Sequence, residues 1–136
     1  MKKTTGIGGI FFRVANPATT KNWYSKHLGL HTDPWGTNFE WRQADHPESK
    51  GFTQWSPMAQ DSTHLPKDQN FMINYRVEDL EQLLETLRTD GVEICDELQE
   101  FDYGKFIHII DCNGHKVELW EPNDVVYDKI VEGRTK

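Results

Sequence analysis

Two short stretches decide the fold: FFRVANP at residues 11–17 and INYRVEDL at residues 73–80. They match around an Arg-Val pair, and Arg13 and Arg76 stand 63 residues apart. The same interval separates Asn16 from Asp79, two residue types whose side chains accept from the free N–H groups of a helix's first turn. Pro17 follows Asn16 at the first helical position, where its missing N–H costs nothing. Apolar runs before both caps read as strands. PATTKNWYSKHL (17–28) and LEQLLETLRTD (80–90) read as helices. Leu80, Leu83, Leu84 and Leu87 give the second an apolar stripe. Gly29 and Gly91 suit the left-handed position that ends a helix.

Short strand-like pieces follow each helix. In the first half they are roughly 29–35, NFEWRQ (38–43) and GFTQWSPM (51–58), and in the second VEICDELQEF (92–101), KFIHIID (105–111) and HKVELWE (115–121). Asn113-Gly114 marks a hairpin turn. ADHPESKG (44–51) and AQDSTHLPKDQN (59–70) read as polar connections, the second joining the halves. The expected fold class is α+β: two tandem β-α-β-β-β modules, 7–58 and 69–122, in a single domain spanning 1–136 with a tail at 123–136. The tail's expected fate is to cover a neighbour or to fray.

A chain of 136 residues is long enough to bury a core without staples. An aromatic share of 12% with five Trp argues against disorder, and a net charge of −7 argues against nucleic-acid or anionic-membrane partners. Cys95 and Cys112 have neither metal spacing nor a disulfide framework and fit a reducing cytoplasm. The N-terminal MKKTTGIGGIFFRV lacks the long apolar run of a leader, and no segment approaches membrane-spanning length.

IFFRVANPATTKNWYSKHLGL (10–30), MINYRVEDLEQLLETLRTDGVEI (72–94) and IIDCNGHKVELWEP (109–122) together resemble the vicinal oxygen chelate superfamily, which holds glyoxalase I, bleomycin-resistance proteins and extradiol dioxygenases. The last stretch is similar to the family's Asp-Pro-x-Gly-x-x-apolar-Glu-apolar signature, with Cys112 in place of proline. The resemblance implies an open mixed sheet whose cleft takes a small molecule, in a homodimer, with module pairing either within a chain or across the dimer. It also implies four metal-ligand positions, which fall here on Gly9, Gln54, Met72 and Glu118. Glyoxalase I has His or Gln, Glu, His and Glu there. Glycine offers no ligand atom and a thioether is too soft for the divalent ions of enediolate chemistry. The expectation is therefore no resident metal and no other cofactor.

Side chains alternate faces along a strand. With one face under a helix, the cleft face holds Gly9, Phe11 and Arg13, then Phe52, Gln54 and Ser56, then Met72, Asn74 and Arg76. Phe106, His108, Lys116, Glu118 and Trp120 complete it, with Glu40 or Trp41. Of these, Phe11, Arg13, Gln54, Asn74, Phe106, Lys116 and Trp120 are the candidate ligand-binding residues. Arg13 stands where glyoxalases present an arginine to a glutathione carboxylate. It binds a substrate anion or pairs with a neighbouring carboxylate. Glu118 and His108 are the candidates for chemistry. Burial should raise the pKa of Glu118 towards that of a general base, with His108 orienting it or shuttling a proton, and Gln54, His108 and Lys116 are the donors expected to satisfy it. The function expected is bleomycin-resistance-like binding of a small organic molecule in the cleft without the glyoxalase metal. The alternatives are metal-free proton abstraction or isomerisation with Glu118 as base, and a divalent-metal-dependent enzyme, lactoylglutathione lyase-like or dioxygenase-like.

Overall fold

A computed structural model describes residues 3–136, so Met1 and Lys2, at the start of the expected domain, lie outside the described residues. The repeat is visible in the element order. β1 (Thr4–Arg13), α1 (Pro17–Leu28), β2 (Thr37–Gln43) and β3 (His46–Met58) form the first module. β4 (Phe71–Val77), α2 (Leu80–Thr89), β5 (Gln99–Phe101), β6 (Gly104–Ile110) and β7 (Lys116–Pro122) form the second, followed by α3 (Asp124–Ile130). The strands make one mixed sheet in the order β2-β3-β1-β4-β7-β6-β5. The modules meet within the chain, through antiparallel pairing of β1 with β4 that runs from Thr4 opposite Val77 to Phe12 opposite Phe71.

Both helix starts follow the sequence. The carboxamide oxygen of Asn16 accepts from the N–H of Thr19 at 3.1 Å, and a carboxylate oxygen of Asp79 accepts from that of Gln82 at 3.1 Å. Gly29 (φ 72°) and Gly91 (φ 77°) take the left-handed conformation past the helix ends. Asp79→Ala is expected to cost about 1 kcal/mol, read from the midpoint of urea unfolding, because it leaves a first-turn N–H unpaired.

The leucine stripe of α2 places Leu80, Leu83 and Leu84 on Val77, Ile107, Ile109 and Leu119, and this is the main core. α1 buries no residue. Tyr24 instead meets Trp55 edge-on, and Trp23 stays half exposed. The second module's apolar face is thus fixed under its helix, which leaves the opposite face of β4, β6 and β7 for the cleft.

Four local expectations are corrected. Residues 29–35 form no strand; an isolated bridge between Asp33 and Gly36 stands in their place. The polar stretch 44–51 is not a loop, because only Ala44 and Asp45 turn and β3 starts at His46. The 92–101 strand shrinks to Gln99–Phe101, with a bridge from Ile94 to Ile109. The tail, expected to cover a neighbour or to fray, is folded and packs on its own chain. Asn123 caps α3, and Arg134 donates to Glu40 and Asp128 at 2.7 Å each while lying 4.9 Å over the Phe52 ring. Thr135 is bonded to the Asn38 carbonyl and the Thr37 hydroxyl.

Candidate functional site

The inner face of the sheet encloses a cavity of about 650 Å³ between the two modules. Phe11 from β1, Gln54 and Ser56 from β3, Asn74 from β4, Phe106 from β6, and Glu118 and Trp120 from β7 line it, all on the faces that strand alternation assigns. Trp35, His64, Tyr103 and Tyr127 reach it from loops and from α3. Phe106 stacks on Trp120 with 5.6 Å between ring centres, and the Trp120 indole N–H donates to the Tyr103 carbonyl at 3.1 Å.

Glu118 is the buried end of a chain of polar groups that runs out to the exposed Asp96. One carboxylate oxygen accepts from the Asn74 amide at 2.7 Å, and the other lies 2.7 Å from His108 Nε2. His108 Nδ1 in turn sits 2.6 Å from one carboxylate oxygen of Asp96, and the other oxygen accepts the backbone N–H of His108 at 2.9 Å. Asp96 so fixes the ring, and the ring fixes Glu118.

Burial alone would raise the pKa of Glu118, but the hydrogen bonds from His108 and Asn74 outweigh it and hold the carboxyl below its ordinary range. This reverses the expected direction. Burial would also discharge His108, yet the bonds and charges of Glu118 and Asp96 raise its pKa. The shifts in both groups favour the charged pair, and Glu118 is not poised as a base. His64 differs. Its Nε2 is 4.0 Å from Glu118, its ring meets Phe11 edge-on at 5.0 Å, and burial lowers its pKa against the pull of Glu118. It is a neutral imidazole facing the cavity.

The donors expected for Glu118 divide. His108 is there. Gln54 instead serves the first module: its amide N–H groups donate to the Trp35 carbonyl (2.9 Å) and the Ser56 hydroxyl (2.7 Å), and its oxygen accepts from Asn38 and, at 3.1 Å, from the Tyr127 hydroxyl. Lys116 meets Gln69 through its backbone, donating and accepting at 2.8 Å. Asn74 supplies the second bond because β4 pairs with β7 with Asn74 opposite Glu118, whereas β1 pairs with β3 with Gly9 opposite Gln54. The repeat alone would have put Met72 beside Glu118.

Arg13 is corrected on both readings. Its guanidinium donates to backbone carbonyls of the 59–69 loop, including Gln60 (2.7 Å), Ser62 (3.2 Å) and Pro66 (2.9 Å). A loop folded over the sheet end turns its carbonyls inward, and a planar fork of donors satisfies several at once. That loop carries His64.

Neither Glu40 nor Trp41 lines the cavity: Glu40 stands opposite Phe52 and accepts from Arg134, while the Trp41 ring lies 5.2 Å from the Arg76 guanidinium. That ring fits because Gly51 is bare: a Cβ there would sit 2.3 Å from it. A bulge in β1 between Ile7 and Gly9 puts Gly8 on the cavity wall, where a Cβ would meet the Asn74 amide oxygen at 2.2 Å.

The family's metal does not fit these residues. Of Gly9, Met72, Gln54 and Glu118 only the last two carry oxygen, and the Gln54 oxygen already accepts from Asn38 and Tyr127. Among the described residues no group of three or more His, Cys, Asp or Glu is arranged to hold a metal ion. Both cysteines are free and exposed, and no helix among these residues is long and apolar enough to cross a membrane.

Several solved structures share the fold. Methylmalonyl-CoA epimerase from Mycobacterium tuberculosis is 22% identical, with a TM-score of 0.63 over 93% of this chain and 94% of that one. A Streptomyces coelicolor methylmalonyl-CoA epimerase variant in complex with 2-nitronate-propionyl-CoA is 17% identical, with a TM-score of 0.66 over 88% and 99%. A Legionella pneumophila chain described as NAD-dependent benzaldehyde dehydrogenase is 15% identical, with a TM-score of 0.54 over 85% and 98%. At these identities the likeness speaks for the fold alone, and one fold hosts many chemistries. No curated protein matches the chain. The model of the Glyoxalase/Bleomycin resistance protein/Dioxygenase superfamily matches residues 6–119, from the first strand through Glu118 and into β7, and the chain therefore belongs to that superfamily.

Proposed function

We propose that the protein binds a small organic molecule with an apolar, ring-bearing body in the cavity between its modules, without a resident metal. One observation carries this reading: an aromatic-walled cavity of about 650 Å³ with a single hydrogen-bonded chain, Asp96–His108–Glu118, whose buried end Glu118 lines it. Cavities of this size and make-up take small molecules, with the few polar groups setting orientation. The test is a ligand screen by thermal shift on protein stripped with EDTA, followed by titration calorimetry. Hits should bind equally well with and without chelator, and Phe106→Ala should weaken them about tenfold, the loss of one stacked aromatic contact. About one divalent metal per chain after purification, lost on Glu118→Ala together with ligand binding, would overturn the reading.

His64 supports a second reading, a metal-free isomerase- or lyase-like enzyme. A neutral imidazole 4.0 Å from a carboxylate can take a proton from a bound substrate, and the carboxylate stabilises the imidazolium that results. The base is then His64, with Glu118 as its electrostatic partner. Solvent deuterium entering a bound ligand, abolished by His64→Gln with affinity kept, is the outcome expected of this reading. Exchange that survives the substitution rejects it.

A further inference from the structure

The charge pattern of the cavity narrows the class of ligand, an inference that rests on the reading of the cavity as a binding site. Among the described residues lining it there is neither lysine nor arginine. The two arginines nearest in sequence logic are committed elsewhere: Arg13 to loop carbonyls, and Arg76 to Asp124. His64 is the only histidine among the described lining residues, and burial keeps its imidazole from charging. Lys116 acts on His64 through space but does not line the cavity. The one ionised lining group is Glu118. Behind it stand one further carboxylate, Asp96, and one ring, His108, that carries at most a single positive charge, so this end of the cavity keeps a net negative charge. Each Glu118 oxygen has one donor in the chain, Asn74 or His108, and a carboxylate oxygen can accept a second.

The rest of the wall presents aromatic rings: Phe11, Trp35, Tyr103, Trp120 and Tyr127. Aromatic faces carry negative quadrupole charge and attract cations, the more so where water is excluded. Trp35 is 79% exposed, although its carbonyl is pinned by Gln54 (2.9 Å) and Ser56 (2.6 Å). Its backbone is fixed at the cavity wall, and its ring, with most of its surface in solvent, is within reach of a cation bound there. A carboxylate, phosphate or acyl-CoA ligand would meet the opposite: an ionised carboxylate whose neighbouring cationic group, His108, is shared with Asp96, in a chain whose net charge of −7 repels anions at long range.

We infer that the ligand is an organic cation, a planar or aromatic body bearing a protonated amine, with the ammonium received by Glu118 and the body by the aromatic wall. The experiment compares three probes of one shape on the intact chain by calorimetry at pH 7.5: 2-naphthylmethylamine as cation, 2-naphthylmethanol as neutral, 2-naphthoate as anion. The expected result is that the amine binds at least tenfold tighter than the alcohol, that naphthoate binds more weakly than either, and that the preference for the amine falls with added salt. Glu118→Gln should bring the amine to the affinity of the alcohol while the alcohol's own affinity stays put. That last comparison also reports that the variant is folded and its cavity intact. Trp35→Ala, at an exposed position that the core does not need, should weaken the amine more than the alcohol.

If the alcohol binds and the amine gains nothing over it, or naphthoate or a CoA thioester binds tighter, the cation assignment is wrong and the cavity reading stands. If none of the probes binds, or none is weakened by Phe106→Ala, both are wrong.

Discussion

Replacing His108 by alanine is expected to lower folding stability by about 3–5 kcal/mol, the scale of a buried ion pair broken by removing one partner. His108 is 8% exposed and Glu118 5% exposed, so the pair is largely withdrawn from solvent. The substitution leaves Glu118 with Asn74 alone, and frees the Asp96 oxygen that held Nδ1. Urea unfolding at pH 6.5 measures the loss. A drop under 1 kcal/mol would mean that the hydrogen-bonded chain does not persist in solution.

The pH dependence has a definite sign. The folded pKa of His108 is raised above its ordinary 6.5, so its contribution is complete below that value and is lost as pH rises through the folded pKa. His64 works the other way. Its folded pKa is lowered from 6.5, so stability falls as pH drops through the window beneath that value. Glu118, lowered from 4.5, adds a further loss at more acid pH. Exposed acids with lowered pKa, such as Asp111, share that acid limb, which therefore does not report on the site. The alkaline limb above 6.5 does. It should be present in the parent protein and absent in His108→Ala, whose stability should rise with pH and then level off until the lysines and tyrosines titrate.

How far the site was legible in the sequence follows from which residues obey a period. Glu118, Asn74, Phe106, Trp120 and His108 stand on strands whose opposite face packs under α2, so alternation alone placed them. His64 and Asp96 lie in irregular segments, where no period says which way a side chain points. Asp96 fell inside a stretch that reads as strand and is not one. α3 spans Asp124–Ile130, too short for a helical stripe to show, and so its contribution of Tyr127 was hidden. The choice of Asn74 over Met72 as neighbour to Glu118 is a matter of strand register. The two halves differ in register although their sequences repeat. Gln54 illustrates the limit of reading by face. It does line the cavity, but its amide is used by Ser56, two residues along the same strand, and by Trp35, which only the folded loop brings near.

The same docking of α3 leads to the second large effect: Asp124→Ala should cost about 3–5 kcal/mol, through a residue that does not itself line the cavity. Arg76 is 2% exposed and lies between the indoles of Trp41 and Trp120, 5.2 and 5.3 Å from their centres. Its one ionic partner among the described residues is Asp124, on the first turn of α3, and its Nε and Nη1 have no acceptor. Without Asp124 the guanidinium keeps the two aromatic faces and loses its countercharge, and α3 loses the bond that fixes its start. The cavity should suffer with it, because Tyr127, whose hydroxyl donates to Asn38 at 2.8 Å, rides on that helix. Desolvation makes a further claim testable. A buried ion pair gives back little more than the cost of dehydrating its charges, so removing both should be far milder than removing one. Arg76→Met combined with Asp124→Leu is expected to recover most of the stability lost in Asp124→Ala, with a coupling of opposite sign to the single losses in a double-mutant cycle. Additive losses across the cycle would show instead that Asp124 holds α3 by something other than its charge on Arg76.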